Sequence, residues 1–159
     1  MSLDFNPIIR KSIELTPDKT WIHMDIIKAK NHEIYYLNMR KHVKTKKYTG
    51  PATGFIVDTE NIEELLHALS EISSKIPVFG EDIPLPVYEE FNIGPGKDLR
   101  VTLNKYDDKS ELSVDVRIWV TSEIYSGPTK QGVTFHPDKL VNVIMDLSQI
   151  EGECLDNGY

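Results

Sequence analysis

Arg117 and Trp119 stand two residues apart in a run where Leu112, Val114, Val116, Ile118 and Val120 fill every second position. Alternation of that period belongs to a half-buried strand, which puts Asp115, Arg117, Trp119 and Thr121 together on the opposite face. A guanidinium beside a flat indole suits single-stranded nucleic acid, because the cation meets a phosphate and the ring offers a surface for base stacking. A second set lies upstream. Tyr36, Asn38, Arg40, His42 and Lys44 alternate in the same way, flanked by Lys28, Lys30, Lys46 and Lys47. There the basic excess and an aromatic ring fall on one face. The competing reading is structural: Trp119 lies buried under the helix of the partner repeat, Arg117 pairs with Asp115 or Glu123, and the lysines form a solvated face.

Other chemistries find less support. The histidines (His23, His32, His42, His67, His136) fall on different elements, and no pair has helical metal-ligand spacing. Gly94-Pro95-Gly96 reads as a turn between strands and precedes no helix, so it is not a phosphate-cradling loop. Glu63 and Glu64 open a helix, where acids favour the macrodipole. Cys154 is the single cysteine, in what reads as a polar tail, and excludes an internal disulfide and a cysteine-built zinc site. We expect no enzyme, metal or cofactor.

Composition sets the frame. The 159 residues, 40% hydrophobic and 27% charged, suffice for one ordinary domain or two very small ones and exclude a disordered chain. No apolar run approaches the ~20 residues of a spanning helix, and the start resembles no secretory leader. With one cysteine, these features point to a cytosolic setting. The net charge of −7 is uneven. Residues 19–50 hold eight basic and two acidic residues, a balance of +6, whereas residues 55–93 hold nine acidic residues and one basic, a balance of −8. A polyanion is therefore not excluded, but the first part of the chain is the better place for it.

The elements that must position these residues occur twice. At an offset of 77, Lys28 meets Lys105, Arg40 meets Arg117, and Tyr48-Thr49-Gly50-Pro51 meets Tyr125-Ser126-Gly127-Pro128. A one-residue insertion in the second copy then brings Gly54 onto Gly132. Each copy predicts two alternating strands (20–28 and 33–44; 98–106 and 111–121) and a Gly-Pro turn leading into an apolar run. An amphipathic helix follows, with Thr59 expected to cap the first and Pro137 to open the second. Ile13–Leu15 and Phe91–Ile93 supply opening strands. The expected fold is α+β, two ββββα repeats at 11–76 and 89–152. Between them lies a Pro-rich acidic linker, 77–88, and a tail follows at 153–159.

The second copy runs Asp115-Val116-Arg117, then Gly127-Pro128-Thr129-Lys130-Gln131-Gly132-Val133-Thr134-Phe135-His136-Pro137 and a helix. This resembles the single-stranded-DNA-binding positive cofactor 4 family of transcriptional coactivators, over nearly all of both repeats. The first copy departs from the pattern with Asn38-Met39-Arg40 and with Thr59 at the proline position. The resemblance implies curved four-stranded sheets that pair through their helices, here as an intramolecular pseudo-dimer, with nucleic acid running over the sheets and loops. It adds Lys130 to the candidate contacts. The hairpin tip Asp107-Asp108-Lys109-Ser110-Glu111 is acidic where the family is basic, which favours the first copy as the binder. The expected partner is single-stranded DNA or RNA. The alternative is an assembly module in which the acidic stretch Asp58–Glu90 meets a basic partner or residues 28–47 of another copy.

Overall fold

A computed structural model describes residues 2–77, 83–105 and 111–159. Val78 to Asp82 of the expected linker, and the hairpin tip from Asp107 to Ser110, lie outside the described residues. The chain forms two four-stranded antiparallel meanders, each followed by a helix. Strands β1 (Leu3–Thr16), β2 (Thr20–Ala29), β3 (Tyr35–Lys44) and β4 (Thr49–Asp58) precede α1 (Ile62–Ser74). Strands β5 (Val87–Gly94), β6 (Lys97–Lys105), β7 (Leu112–Thr121) and β8 (Ser126–Phe135) precede α2 (Leu140–Asn157). The tandem ββββα architecture read from the offset is the architecture of the molecule.

Alternation decides which way each strand faces. Ile22, Met24 and Ile26 on β2 and Leu37 and Met39 on β3 are buried, as are Leu99, Val101 and Leu103 on β6 and Val114, Val116 and Ile118 on β7. Both sets join the helix stripes, Ile62, Leu65, Leu69 and Ile72 with Leu140, Val143, Leu147 and Ile150, in one continuous core. Helix α1 packs on β5 and β6 of the other repeat, α2 packs on β1 of the first, the helices touch each other, and β4 lies along β8. The halves thus pack as a pseudo-dimer. No helix among the described residues is long and apolar enough to cross a membrane.

Several boundaries differ from the sequence reading. β1 starts at Leu3 rather than near residue 11, and carries four residues, Phe5 to Ile8, opposite the single β2 residue Ile27. Pro7 and that bulge break the alternation that would have marked the strand. The linker ends where β5 begins, at Val87. The expected tail is instead the end of α2, whose buried stripe continues through Cys154. Gly158, at φ 72°, ends the helix in the left-handed conformation glycine adopts without strain. Thr59 does not cap α1; it lies in a 3₁₀ turn, Thr59–Asn61, that leads into the helix with no side-chain cap. Pro137 opens the corresponding 3₁₀ turn before α2, capped by His136.

The repeat extends to individual hydrogen bonds. Tyr48 donates its hydroxyl to the Pro51 carbonyl at 2.6 Å, and Tyr125 donates to Pro128 at 2.7 Å. Gly50 and Gly127, at φ 156° and 151°, sit over these hydroxyls, and a Cβ would lie 2.9 and 2.8 Å from them. Thr45 and Ser122 close the preceding turns by bonding the same tyrosines' backbone. The Tyr-x-Gly-Pro signature is thus a turn built the same way twice.

Glycines separate the tight from the open places. A Cβ on Gly54 would lie 2.4 Å from the Met39 carbonyl and 2.6 Å from Arg40 Cα, both backbone, whereas one on Gly152 in α2 would meet nothing within 4 Å. Gly54→Ala should therefore lose about 1–3 kcal/mol of stability, and Gly152→Ala should gain about 0.5–1 kcal/mol. Urea unfolding of the two variants checks the opposite signs.

Candidate nucleic-acid interface

In both repeats the arginine at the matching register position, Arg40 or Arg117, is fixed by the strand that follows it. β4 and β8 are bulged: two residues, Ala52 and Thr53, oppose Lys41, and three, Thr129 to Gln131, oppose Ile118. The extra residue is the insertion that shifts the offset from 77 to 78. A bulge leaves carbonyls outside the ladder, and the arginine takes one up. Arg40 Nη1 donates to Ala52 O at 3.0 Å, and Arg117 Nη1 donates to Thr129 O at 2.9 Å. Gly54 and Gly132 leave the room these arginines lie in.

What neutralises each arginine differs. Arg117 forms an ion pair with Asp115 at 3.0 Å, and Asp115 also accepts from the Thr134 hydroxyl at 2.7 Å. Arg40 meets Asn38 instead, donating from Nε to Oδ1 at 3.3 Å, and among the described residues it has no carboxylate within ion-pairing distance. Its burial lowers its pKa with no acid to oppose the effect. A partly buried guanidinium facing only neutral oxygens is a place where an anion gains most.

Arg40 opens onto a cavity of about 510 Å³ on the outer face of the first sheet, shared with Arg10, Asp25, Asn38, His42 and Phe5. The β1 bulge carries Phe5, 59% exposed, to its rim. Arg10 binds Asp25 through two bonds of 2.8 Å, and this bond raises its pKa. Asp25 is buried, so its charge is committed to Arg10 and the guanidinium of Arg40 remains in excess. Beside it, the His23 and His42 rings lie 4.0 Å apart, and Ser12 Oγ shares a 2.6 Å hydrogen bond with His23 Nδ1. Burial, then His42 and Arg10, push His23 down to about 4, and burial with Arg10 lowers His42. Both rings are neutral near pH 7. A second cavity of about 480 Å³ at the junction of the repeats also includes Arg40, with Tyr36 from the first repeat and Lys97 and Lys130 from the second.

The corresponding face of the second sheet is occupied by its own side chains. The Arg100 guanidinium lies 3.7 Å from the Trp119 ring centroid and 4.1 Å from that of Tyr88, and pairs with Glu90 at 2.8 Å. One face of Trp119 is thus covered, and both arginines of this sheet hold carboxylates. The sequence expectation that Arg117 and Trp119 present a free cation and a free ring is corrected here: the structural alternative holds for Arg117, and Arg100, rather than a helix, covers the indole. The first set fares differently. Arg40 and His42 line the open cavity, Tyr36 and Lys130 line the junction, and Lys44, Lys46 and Lys47 are exposed where β3 turns into β4. Lys28 and Lys30 sit at the opposite end of the sheet, and Lys28 pairs with Glu33 at 3.0 Å. Cys154 is buried, its thiol pushed up to about 11 chiefly by burial, so it remains protonated.

Phe5, Arg10, His23, Asp25, Tyr88 and Arg100 escaped the sequence reading. A signal was present for some of them: the offset of 77 pairs His23 with Arg100 and His42 with Trp119, marking one spot where the two sheets carry different chemistry. The chain matches no family model and no curated protein.

The depressed His23 has a consequence for stability. An imidazole in the unfolded chain, near 6.5, binds a proton that the folded His23, near 4, refuses. Stability therefore falls as pH is lowered through that window and does not fall further on this account below it. His23→Gln should make the fall shallower, as measured by thermal melts across the window.

Proposed function

We propose that the protein is a non-catalytic binder of single-stranded DNA or RNA, acting mainly through the outer face of its first repeat. The observation that carries this reading is Arg40, partly buried, without a carboxylate partner among the described residues, and placed between two open cavities. The cavities supply what a single strand needs: Arg40 and Lys130 for phosphates, His42 as a neutral hydrogen-bonding group beside them, and Phe5 and Tyr36 for bases. The exposed Lys44, Lys46 and Lys47 continue the positive path at one end, adding screening-sensitive attraction without base preference. The resemblance to the positive cofactor 4 coactivators supports the same reading and suggests service in transcription. The second repeat contributes through Lys97 and Lys130 at the junction, while its own sheet face stays closed by internal ion pairs.

Asn38→Asp gives the sharpest test, because Asp115 shows that an acid at this place is compatible with the fold. Neutralising Arg40 in this way should weaken binding about ten- to hundredfold, in line with ~1.5–3 kcal/mol for a charge-assisted bond. Arg40→Ala should lower the salt slope by about one. Asp115→Asn, which frees Arg117, should strengthen binding. Anisotropy titrations of a labelled oligonucleotide at several salt concentrations measure all three, and absence of binding at low salt would sink the reading.

A further inference from the structure

At one spot the two sheets differ in kind. The second carries Glu90, Arg100 and Trp119, a permanent cation with its acid and its ring. The first carries Ser12, His23 and His42 at the matching register positions, with His23 and His42 in ring contact at 4.0 Å. A fixed, self-neutralised cation is thus replaced by a titratable pair held at one end by a serine hydroxyl. His42 lines the same cavity as Arg40 and Arg10, so a charge gained by the pair is felt there.

The groups facing the pair come from every strand around it. From β1 come Arg10 and Ser12, with Glu14 one outward position further on; from β2 come Asp25 and Trp21; from β3 come Arg40 and, further on, Lys44. β4 contributes Pro51 and Ala52, which do not titrate. Among the residues lining the cavity the fixed charges are two guanidinium groups and the carboxylate of Asp25, and burial first, then this positive balance, holds protons off the rings. An anion seated on Arg40 reverses the charge part of that balance, while the part due to burial remains.

We propose that anion binding on the first sheet is coupled to proton uptake by the His23–His42 pair, so that affinity strengthens as pH falls below neutral. This rests on the nucleic-acid reading of the same cavity and adds a regulating variable to it. The pair acts as a unit: with the rings in contact, a first bound proton repels a second, which limits uptake to about one. Because both rings are neutral in the free protein near pH 7, the proton must be acquired on binding.

A labelled oligothymidylate tests this, since neither its bases nor its phosphodiesters titrate in the range used. Titrations at constant salt from about pH 7 to about pH 5 should show affinity rising, at its steepest by about tenfold per pH unit. Calorimetry in buffers of different ionisation heat should count about one proton taken up. His23→Gln and His42→Gln should each reduce the slope and the double variant should abolish it, while His67→Gln, distant on α1, should leave it intact. Histidine ring NMR of the unaltered protein gives a reading independent of any variant: the pair should titrate at higher pH when bound than when free. Binding with a flat pH profile, or a slope that survives in the double variant, would overturn the coupling and leave the nucleic-acid reading standing. No binding at any pH would overturn both.

Discussion

Each sheet in this molecule needs an apolar cover for its inner face, and that cover is the helix of the other repeat. A four-stranded meander with one apolar face cannot stand in water by itself, and a single helix following it must lie against something apolar. Here α1 lies on β5 and β6 and α2 on β1, so neither half completes its core without its neighbour. The chain packs as one body, although its sequence reads as two copies, and the core joins residues from both without a break. The single chain also fixes which half faces which, leaving the two copies free to differ.

That freedom is used most clearly on the outer faces. Inward positions, turn tyrosines, glycines under the arginines and the bulge carbonyls recur because each solves a backbone problem common to both copies. Arg40 and Arg117 belong to this structural set, since each satisfies a bulge carbonyl. The difference begins with the residue two positions earlier on the same face. An acid there makes the arginine a closed ion pair; an amide keeps its hydrogen bond and leaves its charge uncancelled. The histidine pair differs from the Arg100–Trp119 stack in the same sense, with less permanent charge and more dependence on what is bound.

Legibility in the sequence followed the same division. Elements governed by period-two and helical alternation were readable because burial leaves its imprint on every second or every third and fourth residue; so was the duplication, whose turn signature is enforced by sterics at Gly50 and Gly127. The start of β1 was not, because Phe5 to Ile8 form a bulge whose residues follow no period and are placed by their reach across the sheet. The end of α2 was missed because Glu151, Gly152 and Glu153 give it a polar look, while Ile150 and Cys154 maintain the buried stripe. Within the site, strand periodicity could place Arg40 and His42 on one face. It could not show that Arg10, far off in sequence, would take up the carboxylate of Asp25, or that Arg100 would lie across Trp119.

The uncancelled arginine has an energetic meaning of its own. Removing one partner of a buried pair costs several kcal/mol because a bare charge remains in a poor solvent, and the cost shrinks as water reaches the group. Arg40 is placed to keep that cost tolerable, with its carbonyl and amide partners on the protein side and open cavities on the other. A carboxylate at position 38 would stabilise the empty protein, as Asp115 does for Arg117, and would close the cavity's charge. An amide there gives up stability in the free state that a bound anion can restore, which is the physical sense in which a site differs from a salt bridge. The same logic applies to His23, held neutral at some cost to acid stability beside a cavity whose occupant would favour its charged form. Both groups are destabilised in the direction that an anion would relieve.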